Sequence, residues 1–314
     1  MADRIAIRPR HGVADVDGDG RRGERGTLDV DRRCCRERDE RKRQQSTRGN
    51  DRDRPRDRGA PHGHTLRVVP PSGSAVAPPF AALARDAEHV GVHLDAARLA
   101  LCERYADLLI ERNTTMNLTA ITEPADIATK HFLDSFTAVA VRTWNGRERI
   151  IDVGSGAGFP GLALRLALPQ TRVTLVESMG KKARFLEEVT GALGLNGVEV
   201  RNERAEALAH ARRDRYDVGT ARAVGTLGAI VEYLLPFLRV GGDAIAWKGR
   251  IDAELAGAKK ACASIGGEIV KITPTSELGL GAVLPGRSLV VIRKVRETPS
   301  RYPRSAAEAK RRPW

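Results

Sequence analysis

Arg149-Ile150-Ile151-Asp152-Val153-Gly154-Ser155-Gly156-Ala157-Gly158-Phe159-Pro160-Gly161 decides the fold. A short apolar run is followed by glycine at every second position and then by proline. The pattern predicts a buried strand, a tight turn and the start of a helix. Glycine permits positive φ and lets backbone approach a ligand. Pro160 suits the first turn of a helix, where its missing N–H costs nothing.

Spacing points to the ligand. A dinucleotide loop has the form G-x-G-x-x-G. Here the third glycine comes one residue early, at Gly158, and Phe159 fills the expected place. Asp152 stands two residues before the first glycine, where dinucleotide strands carry glycine or an apolar residue. D-x-G-x-G-x-G resembles the first motif of class I methyltransferases that use S-adenosylmethionine (AdoMet). That ligand has no pyrophosphate, so the loop need not present a row of N–H groups to an anion. It must pass close to an amino acid and a sulfonium, and a nearby carboxylate suits a cation. The competing readings are a dinucleotide site and a glycine-rich turn with no ligand.

The 314 residues suffice for one large or two small domains. A hydrophobic content of 41% supports a sizeable core, and a net charge of +13 predicts a polyanionic partner, most often nucleic acid. No apolar run approaches a membrane span, and no apolar segment near the N-terminus predicts secretion. The cysteines are Cys34, Cys35, Cys102 and Cys262, with no C-x-x-C pair. A reducing cytoplasm and no metal site are the expectation.

Residues 1–75 form a different material. Arg32-Arg33-Cys34-Cys35-Arg36-Glu37-Arg38 and Asp51-Arg52-Asp53-Arg54-Pro55-Arg56-Asp57-Arg58 mix both charges and carry few large apolar groups. Such a segment cannot offset its ordering entropy and is expected to be disordered. Its arginine–aspartate alternation reads as a gene start set too far upstream, in preference to an RNA-binding arm.

A helical region follows over 76–145. Leu101, Tyr105, Leu108 and Leu109 mark an amphipathic helix, and Asp95 is a suitable N-cap. Pro124 lies near the next helix start. His131 reads as a structural hydrogen-bonder at a domain junction before it reads as catalytic. Asp134 reads as a cap or a pairing partner. From 146 to 314 strand and helix alternate, which predicts an α/β fold: a doubly wound, mostly parallel, Rossmann-like sheet covered on both faces. Val173-Thr174-Leu175-Val176 is the second strand. It ends on Glu177, 19 residues after Gly158, where an acid can accept both hydroxyls of a ribose. Leu186, Val189 and Leu193 face inward on the next helix, and Gly194 is its expected C-cap. Val198-Glu199-Val200 is the third strand. Its carboxyl end leads to Ala205 and Glu206, placed to meet an adenine. The fourth strand, near Tyr216-Asp217-Val218, leads to Arg222. Leu227, Ile230, Val231 and Leu234 mark a helix. Gly241-Gly242 is read as a turn into the strand Ala244-Ile245-Ala246-Trp247. Strands near 269–272 and 288–292 form a closing hairpin. Residues 293–314 hold eight Lys or Arg against two Glu. With Tyr302 and Pro303 they make a better RNA-contact candidate than the N-terminal arm.

These residues resemble a family. Asn117-Leu118-Thr119-Ala120, His131-Phe132-Leu133-Asp134-Ser135 and the run from Asp152 to Gly161 are similar to the RsmG family, also called GidB. Arg204-Ala205-Glu206, Ala221-Arg222-Ala223, Lys248-Gly249 and Arg301-Tyr302-Pro303-Arg304 share the resemblance, which covers about 80–314. The end at Trp314 departs from the family's usual ending. The resemblance implies a class I methyltransferase that moves a methyl group from AdoMet to N7 of a guanine in 16S rRNA. It implies that Gly154, Phe159, Ala205, Glu206 and Arg222 contact AdoMet. Asp152, Gly156, Gly158 and Glu177 join them by position. The expected partner is 16S rRNA or the small ribosomal subunit, and the expected state is a cytoplasmic monomer. N7 of guanine carries a lone pair and no proton, so no general base is required and no catalytic residue is assigned. Arg222, Lys248, Arg301 and Arg304 are read as candidates to grip phosphates. The alternatives are an NAD-binding Rossmann oxidoreductase and an RNA-binding protein with a catalytically dead methyltransferase fold.

Overall fold

The computed structural model describes residues 78–314. The expectations for 1–75 lie outside the described residues. Two helices, α1 (Pro78–Glu88) and α2 (Ala96–Met116), open the fold. Asp95 caps α2 as expected, its Oδ1 accepting from the Arg98 N–H at 2.8 Å. The buried stripe of α2 is Leu99, Cys102, Tyr105, Ala106 and Leu109. Leu101 and Leu108 flank this stripe and are only half-buried. A continuous helical stretch follows: α3 (Pro124–Asp126), a π-helix (Ile127–Leu133) and α4 (Asp134–Ala140). Pro124 starts it, where a missing N–H is harmless. The wider π turn leaves no mark in the side-chain pattern.

Seven strands then make one sheet in the order β3-β2-β1-β4-β5-β7-β6. They are β1 (Arg149–Val153), β2 (Arg172–Val176), β3 (Val198–Arg201), β4 (Tyr216–Arg222), β5 (Leu238–Lys248), β6 (Gly267–Pro274) and β7 (Ser288–Lys294). The first five are parallel, with Ile150 beside Val173 and Val218. β7 runs antiparallel to β5, and β6 to β7, which is the closing hairpin. Helices α5 (Gly161–Ala167), α6 (Gly180–Ala192), α7 (Ala205–Ala211), α8 (Leu227–Leu234) and α9 (Asp252–Ile265) are the crossovers, and α10 (Ala306–Arg311) lies in the C-terminal segment. Gly194 follows α6 with φ +62°, the left-handed residue that ends a helix.

Adjacent residues of β1 serve opposite faces, as strand geometry requires. Ile150 belongs to a core with Leu162 of α5, Phe185 of α6 and the apolar faces of α1, α2 and α4. Ile151 belongs to a second core with Leu208 of α7, Leu227 and Ile230 of α8, and Ala258 of α9. The helices from 78–140 therefore share one core with the sheet.

One expectation is corrected. Gly241-Gly242 does not turn the chain into a strand; both lie within β5. Tyr216 pairs with Leu238, but Val218 pairs with Asp243. Two steps along β4 thus match five along β5. The surplus is taken up by a bulge, with Gly241 at φ +84°.

Candidate functional site

In the sheet order, β1 lies between β2 and β4, and the chain winds outward in both directions from that pair. A crevice opens outside the carboxyl ends of strands at such a reversal. It holds a cavity of about 220 Å³, lined by Val153, Gly154, Val176, Ser178, Glu203, Arg204, Ala205, Glu206, Val224 and Tyr233.

The glycine loop forms its floor. Gly154 has φ +70°, and a Cβ there would stand 2.8 Å from Cγ2 of Val224. A side chain would occupy the cavity wall. Gly158 has φ +96°, and a Cβ there would collide with the Tyr105 hydroxyl and with Leu162. Both positions demand glycine for conformation and for space.

Asp152 braces the loop from below. It is fully buried. Its Oδ1 accepts from Thr220 Oγ1 at 2.7 Å, and its Oδ2 from the Gly161 N–H at 3.2 Å, at the start of α5. The Ser155 hydroxyl donates to its carbonyl at 2.9 Å. Burial pushes the carboxyl up to about 6, against the hydrogen bonds and the Arg222 charge. Glu177 is buried and braces the loop from the side. Its Oε2 accepts from the Gly156 N–H at 3.0 Å and its Oε1 from the Met179 N–H at 2.8 Å. Asn202 donates to the Glu177 carbonyl at 2.8 Å, tying the second strand end to the third.

The far side of the loop meets the N-terminal helices. The Phe159 ring lies between Tyr105, 4.8 Å away at 4°, and His131, 4.6 Å away at 12°. Arg222 sits 5.7 Å from the same ring. Arg222 also donates to Asp134 Oδ2 at 2.8 Å, to the Lys130 carbonyl at 3.0 Å and to His131 Nδ1 at 3.0 Å. An arginine only donates, so Nδ1 is the bare nitrogen. Nε2 then carries the proton and faces Thr119 Oγ1 at 2.9 Å. Burial, with the charges of Arg222 and Arg287, presses the imidazole down to about 3. His131 is thus a neutral junction residue and Asp134 a buried pairing partner, as the sequence suggested.

Of the residues singled out in the sequence, the cavity lining includes Gly154, Ala205 and Glu206. Asp152, Gly156, Gly158, Phe159, Glu177 and Arg222 stand around the loop that forms the floor, outside that lining. Val224, Ser178 and Tyr233 line it without a sequence signal that marks them. Val224 is placed by Ala223, which takes φ +59°, an unusual conformation for a residue with a Cβ.

The expected phosphate-gripping cations need correcting. Arg222 is spent on the helical layer. Lys248 donates to the Gly225 carbonyl at 2.9 Å and pairs with Glu254 at 2.8 Å. Arg304 forks onto Glu232 and lies 4.4 Å from the Trp314 ring. Trp314 in turn donates to Glu232 at 2.6 Å and packs on Gly228 and Gly257. These cations have carboxylate partners within the fold. Arg301, Arg311 and Arg312 remain exposed.

Among the described residues no group of three or more His, Cys, Asp or Glu is placed to hold a metal ion. None of the described helices is long and apolar enough to cross a membrane.

The family model described as rRNA small subunit methyltransferase G matches residues 98–279. A ribosomal RNA small subunit methyltransferase G from Roseiflexus castenholzii is 43% identical over 234 residues, covering 74% of this chain and 98% of the relative. One from Dehalococcoides mccartyi (strain CBDB1) is 43% identical over 220 residues, covering 69% and 92%. One from Chloroflexus aggregans is 44% identical over 230 residues, covering 71% and 93%. With its glycine loop, acid-tipped second strand and switch-point cleft, the chain belongs to the rRNA small subunit methyltransferase G family.

Proposed function

We propose that the chain transfers a methyl group from AdoMet to N7 of a guanine in 16S rRNA. The observation that carries this reading is the switch-point cleft, in a chain of the small subunit rRNA methyltransferase family. The residues fit the cofactor. Gly154 lets the loop lie directly against Val224 in the cavity wall, where a Cβ would clash. Val153, Val176, Val224 and Tyr233 offer apolar surface to a purine, while Ala205 and Glu206 offer polar groups to its edge. Each Glu177 oxygen accepts one backbone N–H. A carboxylate has about four acceptor sites, so capacity remains for the two hydroxyls of a ribose.

AdoMet, when bound, supplies a methyl group on a sulfonium. The chain's own task is orientation, because N7 has no proton to remove. Holding nucleophile and donor in line contributes several kcal/mol. The braces on the loop from Asp152, Glu177 and Tyr105 supply the rigidity this needs. A looped-out or flipped guanine is expected, since a stacked base is poorly reachable. The same reading has the chain act as a cytoplasmic monomer on 16S rRNA or the small subunit, and light scattering tests the monomer.

The deciding experiment is mass mapping of 16S rRNA with and without the gene, beside calorimetry with AdoMet and NAD. Loss of one N7-methylguanosine and binding of AdoMet are expected. Unchanged rRNA, or NAD binding with no AdoMet response, overturns the reading.

A further inference from the structure

A second cavity lies at the opposite end of the strands. It measures about 520 Å³, and its lining includes Arg149, Arg172, Glu199, Arg212, Arg215 and Tyr216. Arg149 and Arg172 open β1 and β2, whereas Val153 and Val176 of the first cleft close them. At about 3.3 Å per residue the two sites stand roughly 13–17 Å apart through the sheet.

The charge here is unbalanced. Four guanidinium groups face one carboxylate within the lining, Glu199. Glu199 is already engaged: it accepts from Arg212 at 2.7 Å, and Arg201 stands 3.6 Å away. Arg149 shares Asp217 with Arg239. Arg172 and Arg215 are exposed, and their side chains have neither an ion-pair nor a hydrogen-bond partner among the described residues. Arg149 and Arg172 are also register partners on neighbouring strands. Like charges in facing positions destabilise a sheet, and an anion between them reverses that sign.

The lining also selects the chemistry of the ligand. Guanidinium forks match phosphate oxygens. Tyr216 is buried, and its hydroxyl donates to Thr174 Oγ1 at 3.2 Å. No aromatic face in the lining is therefore free to stack on a base, which single-strand readers use. Phosphate without base contact is the remaining match, and such contacts position a nucleic acid without reading it.

We infer that this cavity is a second RNA contact, holding phosphodiester groups of a segment remote from the methylated guanine. The inference rests on the RNA substrate proposed above. It gives the chain two grips on one folded RNA, the cleft taking the target base and the opposite end of the sheet taking backbone.

The test is the double variant Arg172→Gln/Arg215→Gln, assayed with 16S rRNA across a salt titration. Neither residue touches the first cleft, so AdoMet affinity and kcat at saturating RNA should hold. KM for RNA should rise, and the slope of log affinity against log salt should fall by about one unit for each phosphate no longer gripped. Arg172→Lys/Arg215→Lys should restore most of the slope. An unchanged slope and KM, beside a parent that methylates RNA, overturn this inference and leave the function standing. A parent that neither binds AdoMet nor methylates RNA overturns both. If inorganic phosphate raises the Tm of the parent but not of the variant, while RNA binding is equal in the two, the occupant is a free anion and the inference fails.

Discussion

The phenolic O–H of Tyr105 in α2 donates to the carbonyl of Ala157 in the glycine loop, 2.5 Å across and 52 residues along the chain. The N-terminal helices thus hold the glycine loop, whose Gly154 lines the cleft. Tyr105→Phe keeps the stack on Phe159 and deletes this bond. A buried bond lost with one partner left costs about 1–3 kcal/mol. AdoMet affinity should drop by about tenfold if some 1.4 kcal/mol of that is felt at the loop. Calorimetry beside thermal melting checks it, and an unchanged affinity shows that the loop holds its shape without α2.

Arg222 and Asp134 form a pair in which the carboxylate is fully buried and the guanidinium nearly so. Removing one member strands the other, at about 3–5 kcal/mol. Arg222→Ala should therefore unfold at much lower urea and bind AdoMet weakly. Replacing both, as Arg222→Met with Asp134→Leu, should cost less stability than Arg222→Ala alone. If the double variant is the less stable, the pair contributes more than charge compensation.

Two buried groups tilt stability with pH in opposite senses. His131 is held near 3 in the fold, against about 6.5 unfolded. Between those values the unfolded chain holds the extra proton, so stability rises with pH. Asp152 is held near 6, against about 3.9 unfolded. Between those values the folded chain holds the extra proton, so stability falls as pH rises. His131→Gln should leave the falling slope from about pH 4 to 6, and Asp152→Asn the rising slope up to about pH 6.5. Urea unfolding at about pH 4, 5, 6 and 7 measures both. A His131→Gln profile parallel to the parent's would show that the imidazole is not held neutral.

The C-terminal cations divide into two groups. Arg304 is locked to Glu232 and Trp314, and Glu232 is held below the usual carboxylate range despite its burial, chiefly by hydrogen bonds from Arg304. Arg304→Gln should act on stability. Arg301, Arg311 and Arg312 are exposed. Changing these three to Gln should leave the Tm near the parent's and flatten the salt dependence of RNA binding by about one unit per phosphate gripped. If the triple variant keeps the parent's slope, the tail is a solvated end.

The glycine loop, the order of strands and helices, and the caps at Asp95 and Gly194 were legible because each is written in neighbouring residues. Periodicity and turn chemistry act over a few positions. Gly154, Ala205 and Glu206 were legible for the same reason: they follow strand ends, where a parallel sheet opens its crevice. Even His131 and Asp134 were placed in the right kind of role, although their partner Arg222 lies far along the chain, beyond three strands.

Other features depended on contacts between distant segments. Lys248 and Arg304 read as free cations, yet each finds a carboxylate on another element. Val224 reads as an ordinary apolar residue until β4 brings it against Gly154. Asp152 reads as a ligand-facing acid, and the fold turns it onto Thr220 and Gly161 beneath the loop. Residue types and local spacing determined the class of fold and the position of the cleft, because backbone conformation is a short-range property. Which charges stay free and which are consumed was decided by the tertiary structure, because a charge is satisfied by whatever packing brings within a few ångströms, and that separation is not encoded in distance along the chain.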